Sequence, residues 1–422
     1  MIKIMKMGEV PAGQIFARTA VQTDVAAVVS EIIENVRKNG DRALLEYTKK
    51  FDGAELKTLE VTPEEYDEAE AECGAAFTEI LRQAAENIRK YHSLQMREGF
   101  RTENAQGMTV GQLIVPVERA GLYVPGGTAA YPSTVLMDSI PAKIAGVKEV
   151  VIVTPPGKNG KIAAPILAAA RIAGVDRIFK TGGAQAVAAL AYGTGSIPKV
   201  DKIVGPGNAY VAEAKKQVFG QVSIDMIAGP SEILIVADGN SRADWLAADM
   251  LSQAEHDRMA SAVLVTDSAG LAEAVSVELE KQIPLLERQD IARASIDANG
   301  KIIIAGSIRE AIGVANEIAP EHLELCVDDP YAFLPEVRNA GSVFLGRYCP
   351  EALGDYFAGP NHTLPTGGTA RFSSALSVDD FIKKIQYISS DRDSLLKCAG
   401  KIDAFARAEG LTGHARSVTI RS

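Results

Sequence analysis

The sequence predicts an α/β protein with two parallel-sheet domains and helical segments at both ends. The chain has 422 residues, enough for about two to four domains with cores of their own. Its composition, 47% apolar and 23% charged, is ordinary for a folded globular protein and argues against disorder or a fibrous repeat. From residue 113 onward, short apolar runs alternate with helical patterns, as in parallel sheets covered by helices.

The chain up to about Gly99 has a mainly helical pattern. The TPEE sequence at residues 62–65 is typical of a capping box with proline in the first turn. The amphipathic run at residues 75–97 predicts a helix that continues from it. We interpret the acidic cluster at residues 64–72 as a solvated helix face and assign it no function.

Two series of strand and helix patterns follow, and each predicts one parallel sheet. The first series pairs strand and helix patterns at residues 150–153 and 163–172, 177–179 and 184–191, and 202–204 and 209–218. The second has strand patterns at residues 233–236, 262–265, 301–305 and 342–345, with a helix at 242–253. From about Val378 a helical pattern is predicted as far as Glu409, where Gly410 is a stop signal.

Charge and cysteine content exclude several classes of protein. A formal charge of −10 disfavours a protein that binds nucleic acid or anionic membranes. The first residues lack the apolar run of a secretory signal. Two uncharged stretches, at residues 120–137 and 181–198, are interrupted by glycine and proline and are not expected to form a helix that crosses a bilayer. The four cysteines have no CxxC spacing and predict neither a thiolate zinc site nor a disulfide framework. We expect a cytoplasmic protein that acts on small molecules.

Three glycine-rich turns in the first series are candidate phosphate sites. Backbone N–H groups at the start of a helix can bind phosphate. A single turn of this kind is more often only a tight turn, and none of the three is a GxGxxG. Three such turns in one sheet domain make nucleotide binding about as plausible as three ordinary tight turns, because the strand ends line up along one edge of the sheet. The turns are PGGT (residues 125–128), TGGAQ (181–185) and GPGN (205–208).

The scarce histidines indicate a second candidate site. Residues 341–368 contain six glycines and three prolines, and long irregular loops are often functional. Asp355 and His362 lie in this span. His256 follows Gln253 by three residues at the end of a predicted helix, so both could reach one ion. With His414 they form a mixed nitrogen and oxygen donor set that suits Zn²⁺ or a similar ion, although an ordinary helix end facing water would give the same pattern.

Glu321 and His322 form a candidate acid–base pair. They precede the apolar run at residues 323–327, so we expect them at the junction of a loop and a strand. A carboxylate beside an imidazole offers two proton acceptors of different intrinsic pKa, which suits a reaction that removes one proton from an alcohol and another from water. A surface pair without function would also show this dipeptide.

Taken in order, the motifs resemble those of the L-histidinol dehydrogenase family. They span nearly three hundred residues: GLYVPGG (121–127), GGAQA (182–186), GPGNAYVAEAK (205–215), AGPSE (228–232), LSQAEH (251–256), PEHLEL (320–325), GSVFLG (341–346), GDYFAGPNHTLPT (354–366) and LTGH (411–414). The resemblance implies two Rossmann-like domains and an enzyme that uses zinc and two NAD to oxidise L-histidinol, through the aldehyde, to L-histidine. That reaction completes histidine biosynthesis.

The resemblance also implies roles for single residues. His322 would take the alcohol proton as hydride leaves for NAD, and Glu321 would activate the water that adds to the aldehyde. One Zn²⁺ per subunit would be held by Gln253, His256, Asp355 and His414. Besides these ligands and His322, the implied substrate contacts are Ser231, His362 and Glu409. The implied NAD contacts are Tyr123, Gln185 and Asn208.

We predict four segments along the chain. Residues 1–20 form an N-terminal extension, residues 21–112 and 231–372 a discontinuous α/β domain with the metal and catalytic residues, and residues 113–230 the NAD-binding domain. Residues 373–422 form a helical extension. In the family this last segment reaches across a dimer, which implies a homodimer whose site is shared between subunits.

Several alternatives remain open from the residues. A zinc hydrolase in which Glu321 activates water leaves the three glycine-rich turns unexplained, and a binding protein for imidazole compounds would not turn them over. A thiohemiacetal on Cys349 lacks a base beside the thiol. The ion could chelate the imidazole and amine of histidinol and so position it, or polarise the carbinol oxygen; the resemblance favours positioning.

Overall fold

The computed structural model describes residues 2–18, 24–126 and 130–422. Part of the first glycine-rich turn and the expected boundary at residue 20 therefore lie outside the described residues. The strands in these ranges are β1 (Lys3–Lys6), β2 (Phe100–Glu103), β3 (Thr109–Pro116), β4 (Arg119–Tyr123), β5 (Glu149–Thr154), β6 (Arg177–Lys180), β7 (Lys202–Val204), β8 (Ser223–Ile224), β9 (Glu232–Ala237), β10 (Ser261–Thr266), β11 (Lys301–Ile304), β12 (His322–Cys326), β13 (Ser342–Leu345) and β14 (Ile382–Ser389).

The α-helices in the same ranges connect and cover these strands. They are α1 (Ala12–Ile15), α2 (Ala26–Asn39), α3 (Asp41–Tyr47), α4 (Pro63–Ser93), α5 (Pro132–Ala145), α6 (Ala164–Ala173), α7 (Gly183–Tyr192), α8 (Ala209–Val218), α9 (Ala243–Ala254), α10 (Ala269–Gln282), α11 (Gln289–Asn299), α12 (Ile308–Ile318), α13 (Pro330–Phe333), α14 (Glu351–Leu353), α15 (Arg392–Ala408) and α16 (Thr412–Thr419). Within the described ranges, none of these helices combines the length and apolar character that a bilayer crossing requires.

Two parallel sheets confirm the predicted fold class. One sheet has the strand order β6-β5-β4-β7-β8 and the other β1-β11-β10-β9-β12-β13, and all neighbouring strands in both are parallel. In each sheet the chain first builds outward from one central strand, β4 or β9, and then returns to that strand's other side. The direction of building therefore reverses between β4 and β7, and again between β9 and β12. Such switch points are where parallel sheets bind ligands beyond their carboxyl ends.

The second of these positions carries a cluster of ion pairs. Beyond the carboxyl ends of β9 and β12, the guanidinium of Arg347 pairs with Asp238 at 2.5 Å and with Asp328 at 2.8 Å. Its Nε also donates to Ser241 Oγ at 3.0 Å. These polar groups are therefore engaged with one another at the switch point.

Helices α2 and α4 pack on the five-stranded sheet. Leu81 and Ile88 of α4 share a core with Ile152 of β5, and α2 contributes Val29 to the core on the opposite face, with Phe179 of β6. Residues 21–112 were predicted to belong with residues 231–372. That grouping stays a prediction, because an amphipathic pattern specifies an apolar face but not which sheet the face covers.

Helix α4 begins with the predicted capping box. The backbone N–H of Thr62 donates to Glu65 Oε2 at 2.9 Å. The helix is broken at Gly74, whose φ of 71° is left-handed, directly before the predicted amphipathic run at 75–97. It ends at Ser93, earlier than predicted.

The prediction of helix from Val378 to Glu409 is wrong for its first part. Strand β14 pairs antiparallel with β3, which also pairs with β2, in a separate three-stranded sheet. Its isoleucines at 382, 385 and 388 recur every third residue, a spacing that resembles a helical stripe. The helical prediction is right for α15, and Gly410 follows it with a φ of 76°, as expected of a C-terminal stop.

Candidate active site

Glu321 and His322 lie at the amino end of the six-stranded sheet. His322 is the first residue of β12, next to β9, which begins at Glu232. This confirms the predicted loop-to-strand junction. The two side chains are only 6% and 4% exposed, so the alternative of a surface pair is excluded.

The backbone of Glu232 contacts both side chains of the pair. Its N–H donates to Glu321 Oε2 at 2.9 Å, and its carbonyl oxygen lies 3.1 Å from His322 Nδ1. A carbonyl oxygen only accepts, so Nδ1 carries the hydrogen in this contact. His322 Nε2 is buried without a hydrogen-bond partner among the described residues and lies 3.7 Å from Asp355 Oδ1. The arrangement leaves Nε2 as the nitrogen available for chemistry.

Burial and nearby charges shift the pKa values of this pair. Burial raises the pKa of Glu321 to about 8, against the lowering effect of His322. Burial of His322 lowers its pKa, but the carboxylates of Glu351 and Glu321 outweigh that effect and raise the pKa well above its usual value. Glu321 can thus exchange a proton near neutral pH, which is typical of general acids and bases.

A group of further donors surrounds His322. Its ligating atoms and those of Glu351 and Asp355 lie within 4.8 Å of one another. The amide of Gln253, oriented with its nitrogen toward Glu351, donates to Oε1 at 3.0 Å. Desolvation lowers the pKa of His256, and the nearby carboxylate of Asp355 opposes this shift. Burial raises the pKa of Asp355, but the nearby imidazoles of His322, His362 and His256 lower it on balance.

The donors present fit a divalent ion. Imidazole nitrogen, carboxylate and amide oxygen are ligands that Zn²⁺ and related ions accept. The unpartnered Nε2 of His322 and the ionised carboxylate of Asp355 are groups that would otherwise be costly to bury. Gln253, His256 and Asp355, three of the four ligands implied by the resemblance, are grouped here.

Sequence reasoning missed Glu351. It is buried on α14, and the π-helical turn Gly354–Ala358 that carries Asp355 follows directly. The signal was the spacing of four residues between two carboxylates, which places them on one helix face. It was overlooked because the glycines and prolines of this span argued against any helix.

The remaining implied substrate residues fall into two groups. Ser231 precedes Glu232, and its carbonyl oxygen accepts from the Ser261 N–H at 3.0 Å; His362 acts electrostatically on Asp355. Glu409 and His414 are exposed, on the segment formed by α15 and α16, which pack on each other. In the described part of the chain no hydrogen bond or ion pair joins either of them to Asp355 or His256.

The implied NAD contacts lie at the carboxyl edge of the other sheet. Tyr123 ends β4 and its hydroxyl accepts from the Gly183 N–H, at the start of α7, at 3.0 Å. Gln185 is buried on α7. Asn208 caps α8 by accepting from the N–H groups of Tyr210 and Val211 at 3.0 and 3.2 Å. The turns that hold these residues flank the switch point between β4 and β7.

Helix α5 joins the two regions. It begins a few residues after the first glycine-rich turn, and three consecutive residues of the loop after Asp355 are held on it. Asn361 Nδ2 donates to the Met137 carbonyl at 2.6 Å, and Thr363 Oγ1 donates to Asp138 Oδ1 at 2.7 Å. Between them, His362 Nε2 lies 3.2 Å from Thr134 Oγ1.

Comparison with known proteins identifies the family. A family model described as histidinol dehydrogenase matches residues 17–422. The histidinol dehydrogenase of Syntrophotalea carbinolica is 56% identical over 399 residues, which cover 94% of this chain and 92% of that protein. The chain belongs to the histidinol dehydrogenase family. The histidinol dehydrogenase of Geobacillus kaustophilus is likewise 56% identical over 393 residues, 93% of each chain.

A solved histidinol dehydrogenase shares the fold over the whole chain. The crystal structure from Elizabethkingia anophelis has a TM-score of 0.95 and 37% sequence identity, and it covers 100% of this chain and 98% of its own. The resemblance to the histidinol dehydrogenase family predicted from the motifs is therefore confirmed. Membership favours an oxidoreductase over the zinc hydrolase and the non-catalytic imidazole binder.

Proposed function

We propose that this protein is an NAD-dependent, zinc-containing enzyme that oxidises L-histidinol through L-histidinal to L-histidine in the cytoplasm. The observation that carries the proposal is the buried Glu321–His322 pair, whose Nε2 is unpartnered and faces Asp355. The names of the relatives supply the substrate. The glycine-rich edge of the first sheet supports a dinucleotide as the second reactant.

His322 acts as the base for the alcohol. Its Nδ1 is engaged with the Glu232 carbonyl, so the proton of the substrate hydroxyl passes to Nε2. The neighbouring carboxylates Glu351 and Glu321 stabilise the resulting imidazolium. NAD, when bound, supplies the acceptor for the hydride that leaves the same carbon. The first oxidation thus releases one hydride and one proton and leaves an aldehyde.

Glu321 acts on the water of the second oxidation. Its carboxylate removes a proton from water as the oxygen adds to the aldehyde carbon, which gives the anion of the hydrate. This anion then loses the second hydride and becomes the acid. The aldehyde has to stay bound between the two steps, because a free amino-aldehyde is reactive. A pKa of about 8 for Glu321 matches a group that takes up and releases a proton near neutral pH.

The ion would be held by Gln253, His256 and Asp355 with His414 of the partner subunit. Zn²⁺, when bound, would supply an anchor for the imidazole and amine nitrogens of histidinol. The exposure of Glu409 and His414 on the C-terminal helices supports a homodimer in which this segment completes the partner's site. Glu351, which accepts from the Gln253 amide and lies within reach of Asp355, would orient these donors.

The decisive experiment mixes the purified protein with histidinol and NAD and follows NADH absorbance. We expect about two NADH per histidinol, the number that oxidation of an alcohol to an acid requires. No reduction by the zinc-loaded protein would refute the proposal and favour a binding protein. One NADH per histidinol with release of aldehyde would refute the role of Glu321 in the second step.

A further inference from the structure

Arg18 connects the N-terminal segment to the back of the active site. Its Nη1 pairs with Glu232 Oε1 at 2.6 Å, and its Nη2 donates to the carbonyl oxygens of Ile318 and, at 3.4 Å, Ala319. Lys301 fixes the backbone just before it by donating to the carbonyls of Ile15 and Ala17, at 3.2 and 2.5 Å. The guanidinium is therefore held from both sides, although Arg18 contacts neither Glu321 nor His322.

The backbone that Arg18 binds is strained. Ala319 has a φ of 52°, the one positive φ of a non-glycine residue in the described ranges. A side chain in this left-handed conformation persists only where the surroundings hold it. Ala319 is fully buried and ends α12, whose last carbonyls attract a cation. Only Pro320 separates Ala319 from Glu321, so the direction in which the catalytic pair leaves the helix depends on this turn.

The other contact of Arg18 also leads to the pair. Glu232 binds Arg18 through its side chain, while its backbone N–H and carbonyl bind Glu321 and His322. A shift of Glu232 would therefore move both hydrogen bonds at once. Gly368 also lies beside the guanidinium, because a Cβ placed on it would come 3.3 Å from Arg18 Cζ.

We propose that Arg18 is a positioning residue for the Glu321–His322 pair. It sets the orientation of the pair through Glu232 on one side and the Ala319 turn on the other. This inference rests on the proposed function, because it assumes that the pair transfers the protons. A positioning residue of this kind should lower kcat while substrate binding and zinc content stay close to those of the unchanged enzyme.

The test compares Arg18→Ala with Arg371→Ala in the zinc-loaded full chain. Arg371 donates to the Glu317 carbonyl of the same helix at 2.6 Å but has no contact with Glu232, so it controls for the loss of an arginine at this helix end. We expect kcat of Arg18→Ala to fall about tenfold to a hundredfold, with the KM values of histidinol and NAD nearly unchanged. Arg371→Ala should keep its kcat.

Guanidinium rescue separates positioning from general destabilisation. A small enclosed cavity already lies beside the Arg18 side chain, lined by Glu232, Ser261 and Pro320 among others, and removal of the side chain enlarges it. Millimolar guanidinium should restore part of the kcat of Arg18→Ala, while the same concentration of potassium chloride should not. A kcat of Arg18→Ala equal to that of the unchanged enzyme, or a loss that guanidinium does not restore, would overturn the inference.

Two further variants cover the remaining outcomes. If Arg18→Ala does not fold, Glu232→Gln removes the same ion pair and leaves the backbone contacts of residue 232; it should also lower kcat at constant KM, and an unchanged kcat would overturn the inference.

His322→Asn is measured in parallel. If it keeps full turnover, the proposed function fails; if it is inactive while Arg18→Ala is fully active, only the role of Arg18 fails.

Discussion

His322 and Glu232 begin neighbouring parallel strands, and His322 Nδ1 lies 3.1 Å from the Glu232 carbonyl oxygen. This contact fixes the tautomer of the imidazole and directs Nε2 toward Asp355. The base is therefore oriented by backbone, which a side-chain substitution at residue 232 does not remove. The geometry of the acid–base pair thus depends on the position of the residue 232 backbone.

Replacement of His322 by asparagine tests the base. We expect turnover to fall by about a hundredfold to ten-thousandfold, the usual contribution of a general base, because asparagine cannot take up the alcohol proton. Zinc content should stay the same, since the ligands would be other residues. The measurements are the rate of NADH formation and the zinc-to-protein ratio; loss of zinc would show that His322 is a ligand instead.

Replacement of His256 by alanine tests the metal donors. We expect zinc occupancy and histidinol affinity to fall together, because one ligand is lost from the group around Asp355. His362→Ala is the matched control: it should weaken histidinol binding but keep zinc. The two variants are compared by metal analysis and by calorimetric titration with histidinol. An unchanged zinc ratio in His256→Ala would remove His256 from the ligand set.

Asp138 predicts a pH-dependent stability. Burial raises its pKa from 3.8 to about 8, so between these values the unfolded chain carries the ionised group and the folded chain the neutral one. The free energy of unfolding should therefore fall as pH rises from about 4 to 8, by up to about 1.4 kcal/mol per pH unit. Asp138→Asn, which cannot ionise and can still accept from Thr363 Oγ1, should lack this slope.

Urea unfolding at pH 5 and pH 7.5 measures the Asp138 effect. The asparagine variant should gain stability relative to the unchanged protein as the pH rises. Thr363→Val, which removes the hydrogen bond but keeps the carboxyl group, is the control and should retain a dependence on pH. Parallel pH profiles for Asp138→Asn and the unchanged protein would contradict the prediction.

Gly205 follows β7 at the switch point and should not tolerate alanine. Its φ is 110°, and a Cβ there would come 2.2 Å from the Tyr123 carbonyl oxygen, a clash between two backbone segments. We expect Gly205→Ala to raise the KM of NAD and lower the melting temperature. Gly220→Ala is the control, because it has a φ of 97° but nothing within 4 Å of the added Cβ. Equal effects of both variants on the KM of NAD would mean that the clash does not matter.

The bounds of helices and strands were predicted better than the surfaces on which they pack. Helix α8 spans the predicted residues 209–218, and strands β7 and β13 have their predicted bounds, because alternating apolar runs and glycine turns encode local structure. Strand β14 was missed because its isoleucines repeat every third residue. The packing of α2 and α4 could not be predicted, since an apolar face does not name the surface it covers.

Residues of the candidate site were likewise predicted where local spacing reveals them and missed where it does not. Gln253 and His256 were found because three residues separate them on one helix, and Asp355 because it lies in a conspicuous loop. Glu351 was missed because that loop contains a helix that its glycines and prolines concealed. The contact between Glu232 and the acid–base pair could not be read from the sequence, because it depends on the register of β9 and β12, about 90 residues apart.

The two sheets repeat one order of strands. Beyond the carboxyl ends of β9 and β12 in the second sheet, Arg347 pairs with two aspartates, whereas glycine-rich turns follow β6 and β7 in the first. We therefore expect one dinucleotide site per subunit and not two, although the topology is repeated. Titration of the subunit with NAD should saturate at a molar ratio near one. Both hydride transfers must then use the same NAD site, so the first NADH has to dissociate before the second NAD binds.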